Sequence, residues 1–222
     1  MRAMLLAAGR GERLRPLTDS LPKPLVTVRG RPLIAWHLEA LARAGVREVV
    51  VNVSWLAERL RAALGDGAQY GVHIDWSEEG PVPLETGGGI FRALPLLGPA
   101  AFLVVNADIW CDIDFATLSL PKEALAKLLL VPNPPHHPQG DFALEGERIV
   151  AREGPRFTYS GVGVYRPEFF RDCTPGRFPL LPLLQRALAA GRLHGELYRG
   201  RWCDVGTLGR LNQLEAQLSA VE

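Results

Sequence analysis

The sequence predicts an α/β fold with three layers, in which helices cover both faces of a mainly parallel mixed sheet. Three observations predict it. Short apolar runs alternate with amphipathic stretches from the first residues onward. The runs have the length of strands buried on both faces, and the amphipathic stretches have the length of helices. Glycines and polar residues follow the runs directly, at the sheet edge where open α/β folds bind ligands.

The first half of the chain follows a regular strand and helix order. The segment 32–44 has apolar residues at helical spacing and stops at Gly45, which is typical of a helix C-terminus. Right-handed crossovers then connect parallel strands and give a Rossmann-like architecture. The predicted strands are 3–8, 48–53, 72–76 and 102–106, and the predicted helices are 32–44, 55–64 and 89–97.

The regular order ends after Asp108. We interpret residues 121–157, approximately, as an inserted subregion that forms a small sheet of its own with a proline-rich surface loop. Strands are then predicted at 159–165 and 193–198, and helices at 180–190 and 208–218. The whole chain, 1–222, is predicted to be a single domain.

Composition and charge exclude several classes of protein. The 222 residues include 25 basic and 24 acidic side chains, so the net charge is +1, and no basic block predicts nucleic-acid binding. No apolar segment has the length of a membrane span or a secretory signal. The three cysteines are an odd number without a CxxC pair, which favours a reducing cytoplasm over disulfides or zinc.

A glycine-rich and basic loop follows the first strand. Gly9 and Gly11 allow backbone amides to face an anion, and four cations stand within the same segment: Arg10, Arg13, Arg15 and Lys23. The dinucleotide fingerprint is excluded because Leu14 replaces its third glycine and Pro16 prevents an immediate helix. The Walker motif is absent as well. A long phosphate-binding loop remains, with a flexible turn as the plainer alternative.

Two aspartates are candidate metal ligands. Asp108 follows the predicted strand 102–106, and Asp204 stands in the segment RWCDVGT after another predicted strand. Single aspartates at such positions are often turn residues. Beside a phosphate loop, however, a pair of carboxylates suits Mg²⁺, which binds few carboxylates together with substrate phosphates.

GxGxRLxPLT followed by PKP resembles the signature of the sugar-1-phosphate nucleotidyltransferases, which join a sugar 1-phosphate to a nucleoside triphosphate and release pyrophosphate. The resemblance implies the nucleotide-diphospho-sugar transferase fold, with Mg²⁺ held by Asp108 and Asp204. It implies that Arg15 and the loop glycines hold the β- and γ-phosphates. Lys23 would reach the reacting phosphates as a compact, mobile charge. Ala107 stands where this family usually has glycine.

The resemblance also implies base and sugar pockets. LETGGG looks like the family's base-binding segment, and the implied nucleotide-binding residues are Ala8, Gly9, Gly11, Glu12, Arg13, Glu79, Thr86, Gly87 and Gly88. The implied sugar-binding residues are Asn106, Asp141, Glu153, Ser160 and Gly161, and by the same resemblance the inserted subregion 121–157 is sugar-binding. NPPHHPQGDF and TYSGVGVYRPEFF resemble the bacterial subgroup that joins N-acetylmuramate 1-phosphate to UTP in cell-wall recycling. The larger members assemble through an added β-helical domain, so a monomer is expected here.

Several alternatives stay open at this point. GTP or CTP could replace UTP, and mannose or glucose 1-phosphate could replace the muramate substrate. Asp112 and Asp114 form a DxD pair, which is a metal-nucleotide motif of glycosyltransferases, but they could equally cap the following helix. A non-catalytic sensor of nucleotide-sugars is a third reading. His136 and His137 lie between prolines and are predicted to be surface loop residues instead of metal ligands.

Overall fold

The computed structural model of the chain describes residues 1–152 and 154–219. Its helices are α1 (Leu33–Arg43), α2 (Ala57–Leu64), α3 (Glu85–Leu97), α4 (Leu181–Ala189) and α5 (Leu208–Ser219). Its strands are β1 (Ala3–Leu6), β2 (Thr27–Val28), β3 (Arg31–Pro32), β4 (Glu48–Val53), β5 (His73–Glu78), β6 (Phe102–Asn106), β7 (Ile109–Cys111), β8 (Ala126–Val131), β9 (Phe142–Glu145), β10 (Arg148–Val150), β11 (Arg156–Tyr165), β12 (Leu193–Leu197) and β13 (Trp202–Asp204). None of the helices in these residues is long and apolar enough to cross a membrane.

One large sheet organises the molecule. Its strand order is β5-β4-β1-β6-β11-β8-β12-β10-β9. Within the described residues, seven of its nine strands point in one direction, and β11 and β10 are the two that oppose them. Two further pairs, β2 with β3 and β7 with β13, form antiparallel ribbons outside this sheet. The predicted α/β class with a mainly parallel mixed sheet is confirmed.

Apolar side chains cover both faces of the sheet. Along β1, Ala3 and Leu5 join the core under α1 and α2, whereas Met4 joins the core under α3 and α4. This alternation follows from the two-residue period of a strand that is buried on both faces. A third apolar cluster, which includes Leu14, Trp110 and Leu214, connects the loop after β1 with the β7–β13 ribbon and α5.

The short strands β2, β3, β7 and β13 were not predicted, and two larger differences concern α3 and the insertion. Helix α3 begins at Glu85, four residues before the predicted start, because packing overrides the low helix propensity of three successive glycines. The expected separate small sheet does not form among the described residues of the insertion. Instead, β8 lies inside the main sheet between β11 and β12, and β9 and β10 form its far edge. Strand patterns locate strands, but they do not identify their partners.

A buried histidine connects α1 to the strand that follows Asp108. His37 Nε2 donates a hydrogen bond to the Ile109 carbonyl oxygen at 2.8 Å. Burial lowers the pKa of His37 to about 4, although this hydrogen bond and the nearby Asp108 charge act in the opposite direction. The neutral imidazole is therefore part of the folded state.

We expect acid to destabilise the fold through His37. In the unfolded chain the imidazole regains its ordinary pKa of about 6.5, so the unfolded state takes up a proton first as the pH falls. Between pH 7.5 and pH 5 this linkage lowers the free energy of unfolding by about 2 kcal/mol. Urea unfolding at the two pH values measures the loss. The side chain of His37→Gln cannot be protonated, so its free energy of unfolding should fall by about 2 kcal/mol less over this pH range. An equal fall in both proteins would contradict the assignment.

Candidate active site

Three connected cavities lie at the carboxyl ends of β1, β4 and β6. The loop cavity, about 720 Å³, is bounded by the segment after β1. The central cavity, about 210 Å³, lies beside it and shares Gly9, Lys23 and Asp108 with it. The distal cavity, about 910 Å³, reaches β9 and α4 and shares Thr86 and Asn106 with the central cavity. The predicted binding edge of the sheet is therefore a continuous concave site.

The segment after β1 folds around Lys23. Gly11 has φ +65°, and a Cβ atom there would stand 3.0 Å from Lys23 Cβ and 3.0 Å from Thr18 Cγ2. Thr18 Oγ1 donates a hydrogen bond to the Gly11 carbonyl oxygen at 2.8 Å. Only glycine therefore suits this position, because both its conformation and its contact with Lys23 exclude a side chain. Ala8, Glu12 and Arg13 of the predicted nucleotide set also border the cavities.

Lys23 and Asp108 form an ion pair where the loop and central cavities meet. Lys23 Nζ lies 2.6 Å from Asp108 Oδ2. The lysine side chain is 8% exposed and the aspartate side chain is 37% exposed, so the cation is held inside while the carboxylate faces the cavities. Arg10, Arg13 and Arg177 also line the loop cavity. The same cavity also contains the carboxylates of Glu12 and Glu85, and its four cations suit a bound polyphosphate.

The β7–β13 ribbon brings Asp204 beside Asp108. Asp204 is opposite Ile109 in the ribbon, and the Val205 backbone N–H donates to the Asp108 carbonyl oxygen at 3.1 Å. Asp204 Oδ2 accepts a hydrogen bond from Arg210 Nη1 at 2.7 Å. Within the described residues, Oδ1 of each aspartate has no hydrogen-bond partner. Asp108 borders the loop and central cavities, whereas Asp204 borders a separate depression beside Arg210. The ribbon therefore joins the two segments, and each carboxylate keeps one oxygen that suits a divalent cation.

A second group of possible metal ligands lies elsewhere. Glu48, His73 and Asp75 have ligand atoms within 4.8 Å of one another. Glu48 and His73 are the first residues of β4 and β5, so this group occupies the amino edge of the sheet. It is therefore at the opposite edge from the three cavities.

Arg15 is not brought together with Lys23 and Asp108. Its Nε lies 2.8 Å from Asp19 Oδ1, and both side chains are more than half exposed, at 61% and 53%. Of the two arginines Arg13 and Arg15, both in the described part of the chain, Arg13 borders the loop cavity and Arg15 does not. The contact between residues four apart in sequence holds Arg15 on the outer side of the loop.

Some of the predicted base-binding residues border the cavities, and others support the packing behind them. Thr86 borders the central and distal cavities. Glu79 also borders the central cavity, but its carboxylate accepts hydrogen bonds from Asn52 Nδ2 at 2.6 Å and from the Leu84 backbone N–H at 2.7 Å. A Cβ at Gly87 would lie 2.6 Å from Phe178, and one at Gly88 would lie 2.3 Å from the Gly176 carbonyl oxygen. These two glycines thus permit close packing of α3 against residues 176–179.

Gly89 allows α3 to pack on the buried Glu79. A Cβ atom at this position would stand 2.4 Å from Glu79 Oε1 and 3.0 Å from Asn52 Nδ2. We expect Gly89→Ala to lower the free energy of unfolding by about 1–3 kcal/mol, because the hydrogen-bonded pair must move. Gly209→Ala is the matched control in α5, since nothing lies within 4 Å of its added Cβ. Urea unfolding of both variants tests the difference, and equal stabilities would contradict it.

Of the predicted sugar-binding residues, two border the cavities and two lie behind them in the sheet. Asn106 borders the central and distal cavities, and Asp141 borders the distal cavity. Gly161 (φ +84°) lies behind Asn106, where a Cβ would approach its side chain to 2.7 Å. The buried Ser160 hydroxyl donates to the Leu129 carbonyl oxygen at 2.7 Å and thus supports the sheet. Glu153 lies outside the described residues.

The DxD pair is used by the fold. Asp114 Oδ1 accepts a hydrogen bond from the Ala116 backbone N–H at 3.0 Å, so its predicted capping role is confirmed. Asp112 Oδ1 accepts from the Arg201 backbone N–H at 2.8 Å and also from the Tyr198 hydroxyl, so it is not a cap. These contacts give both carboxylates structural partners, which removes the motif evidence for a glycosyltransferase.

The two histidines of the proline-rich loop contact site residues. His137 Nε2 lies 2.9 Å from Asp141 Oδ1, and the Tyr159 backbone N–H donates to Asp141 Oδ2 at 2.8 Å. His136 Nε2 lies 2.6 Å from Arg210 Nη1, the group that holds Asp204. Both histidines are partly exposed, as predicted for a surface loop, but they also support carboxylates of the candidate site.

Sequence reasoning missed Glu85, which borders all three cavities. Its φ of +62° is unusual for a residue with a side chain, and its carboxylate lies 2.9 Å from Arg177. Such backbone outliers cluster at functional sites. Glu85 lies in the segment LETGGG, but neither its positive φ nor its contact with Arg177 can be predicted from that segment.

Comparisons with known proteins agree with this geometry. The profile of a family described as "Nucleotidyl transferase" matches residues 2–141. The N-acetylmuramate alpha-1-phosphate uridylyltransferase of Neisseria meningitidis serogroup B is 50% identical, over 99% of both chains. The enzyme of the same name from Caulobacter vibrioides is 37% identical over 98% of this chain and 96% of its own. The structure of HddC from Yersinia pseudotuberculosis, complexed with GMP-PN, shares the fold with a TM-score of 0.80 and 20% identity, over 98% of this chain and 99% of that chain.

The matched profile covers the loop after β1 and Asp108, which are the parts of the chain that carried the predicted enzyme class. The two bacterial relatives extend the similarity through Asp204 to nearly the full length. The predicted fold and enzyme class are thereby confirmed. The chain belongs to the nucleotidyl transferase family.

Proposed function

We propose that this protein transfers the uridylyl group of UTP to the 1-phosphate of N-acetylmuramate and releases pyrophosphate. The observation that carries the proposal is the ion pair between Lys23 and Asp108, at 2.6 Å, where the loop and central cavities meet. It combines a buried cation and a carboxylate that could hold a metal at one point of the site. The choice of substrates is supported by the names of the two bacterial relatives.

The reaction is an in-line displacement at the α-phosphorus of UTP. An oxygen of the sugar 1-phosphate forms the new P–O bond, the bond from the α-phosphorus to the bridging oxygen breaks, and pyrophosphate leaves with that electron pair. Because the attacking phosphate is already ionised, no general base is required. Both reactants are anions, so the protein must mainly neutralise charge and align them.

The cations of the site have distinct tasks in this proposal. Lys23 neutralises the α-phosphate as it is attacked, since its Nζ stands where the two cavities join. Arg10 and Arg13 border the loop cavity and neutralise the leaving pyrophosphate there. Arg15 joins them when a phosphate oxygen replaces Asp19 as its partner.

Asp108 and Asp204 would hold Mg²⁺ through their available oxygens. Mg²⁺ would supply positive charge that offsets the negative charge of the phosphates. Lys23 and Arg210 each occupy one oxygen of these carboxylates and so orient them. Asn106 and Asp141 face the sugar from the central and distal cavities in this arrangement. The base contacts belong to Thr86 and to the predicted residues around Ala8 and Gly9. The proposal includes a cytoplasmic monomer that acts in the recycling of cell-wall sugars.

Pyrophosphate release tests the proposal. Four nucleoside triphosphates are each combined with the 1-phosphates of N-acetylmuramate, N-acetylglucosamine, glucose and mannose, in the presence of Mg²⁺. We expect the highest kcat/KM for UTP with N-acetylmuramate 1-phosphate. Faster release with GTP and mannose 1-phosphate would replace the proposed substrates within the same reaction. If no pair releases pyrophosphate although nucleotide binds, the enzymatic proposal is wrong.

A further inference from the structure

The lining of the distal cavity combines apolar and charged side chains. Its apolar wall comes from β9, β10, α4 and the residue before α4, and consists of Phe142, Val150, Leu180, Leu181, Leu184 and Leu188. Arg152 and Arg156 border the same cavity, as do the carboxylates of Glu85 and Asp141, which have partners of their own. A simple hexose offers hydroxyl groups and needs neither a large apolar wall nor a guanidinium. An arginine that keeps its charge free beside this wall therefore indicates a sugar with both an apolar group and a negative charge.

Arg156 is firmly placed at this wall. It begins β11, pairs with Ala143 of β9, and its carbonyl oxygen accepts a hydrogen bond from Asn133 Nδ2 at 2.9 Å. One terminal nitrogen of its guanidinium donates to the backbone carbonyl oxygen of Asp141. This contact orients the planar group but does not neutralise its charge, because a carbonyl group is uncharged.

The charge of Arg156 has no carboxylate partner within the described residues. The neighbouring Asp141 carboxylate is occupied on both oxygens, by His137 and by the Tyr159 backbone. Arg152, by contrast, lies 3.1 Å from Glu145. Arg156 thus keeps guanidinium donors for a ligand in the cavity, in the planar geometry that matches a carboxylate.

The substrate of the proposed function carries a matching charge. N-acetylmuramate is N-acetylglucosamine with a lactyl ether on O3, which ends in a carboxylate and bears a methyl group. The 1-phosphate lies near Lys23 at the central cavity, so the lactyl carboxylate is a second anion at the far side of the sugar. A second cation is needed there, because an unpaired charge loses hydration when it enters a cavity.

We propose that Arg156 binds the lactyl carboxylate of the sugar 1-phosphate and that the apolar wall receives its methyl group. This inference rests on the proposed function, and it assigns a specificity-determining contact that the nucleotide-binding residues do not supply. The site is a carboxylate subsite: it selects a sugar acid over the corresponding neutral sugar without taking part in phosphoryl chemistry.

The kinetics of two enzymes, each with two substrates, test the carboxylate subsite. The substrates are N-acetylmuramate 1-phosphate and its lactyl carboxamide, which has the same shape without the charge. The enzymes are the wild type and Arg156→Gln, and kcat/KM is measured by pyrophosphate release with UTP. We expect the wild type to prefer the acid by about 10- to 100-fold, because a hydrogen-bonded ion pair is lost with the amide. In Arg156→Gln the preference should fall below about threefold.

Two further variants make the result specific. Arg156→Lys keeps a positive charge and should retain part of the preference. Arg148→Gln removes a nearby arginine of β10 that borders none of the three cavities, and should keep the wild-type preference. If Arg156→Gln prefers the acid as strongly as the wild type, the carboxylate subsite is wrong while the proposed function stands. If the wild type accepts neither substrate but turns over another sugar 1-phosphate, both proposals are wrong.

Discussion

Replacing Lys23 by alanine is expected to lower kcat by about 10²- to 10³-fold, because a charge that stabilises the transition state is removed. The lysine is buried against the loop, and its Nζ lies 2.6 Å from Asp108 Oδ2 at the junction of two cavities. The cost in stability should be only about 1–2 kcal/mol, since Asp108 is partly exposed and water can replace its partner. Steady-state pyrophosphate release and urea unfolding measure the two effects.

The control is Lys122→Ala. Lys122 is an exposed lysine at a separate surface depression beside Arg166 and Arg192. Its removal should leave kcat and stability close to those of the wild type. If Lys23→Ala turned over at the wild-type rate, the role of the lysine at the reacting phosphate would be refuted. A large loss of stability with a small loss of rate would make Lys23 a structural residue.

The second large effect is expected at Asp204. Asp204→Asn keeps the shape of the side chain but removes the negative charge that would face Mg²⁺. We expect the Mg²⁺ concentration for half-maximal activity to rise by at least about tenfold. The direct measurement is Mn²⁺ binding by electron paramagnetic resonance, which requires no turnover.

Asp112→Asn is the matched control on the same ribbon. Asp112 lies one residue beyond β7, and its carboxylate is bonded to the Arg201 backbone and Tyr198. It should bind Mn²⁺ as the wild type does. Identical metal titrations for Asp204→Asn and the wild type would remove Asp204 from the ligand set.

The half of the fold built from β1, β4, β5 and β6 follows closely from local sequence. Apart from the edge strand β5, its strands are mainly apolar runs, and its helices show one apolar face with a clear end, as at Gly45. The pairing of β8 with β11 and β12 does not follow in the same way. It depends on contacts between residues far apart in sequence, and the apolar pattern of β8 is the same in a separate sheet as in the main one.

The site residues also divide into those whose position the sequence predicts and those whose position it does not. The position of Lys23 beside Asp108 agrees with the motif, because a glycine loop and a strand end meet at one edge of the sheet. The outward position of Arg15 depends on a single contact with Asp19, and the contribution of Glu85 depends on one backbone angle. Neither leaves a pattern in the sequence. The position of a side chain in a polar loop depends on such individual contacts, whereas the position of a strand depends on many similar contacts.

The β7–β13 ribbon has a consequence for the order in which the molecule acquires activity. It joins Asp108 to a segment almost one hundred residues later in the chain, and Asp204 becomes its neighbour only when that segment has docked. During synthesis the N-terminal part emerges first and can begin to fold. A nascent chain that stops before Trp202 therefore has its phosphate loop but lacks one of the two carboxylates. If both aspartates hold the metal as proposed, we expect nucleotide turnover to begin only once this ribbon has formed.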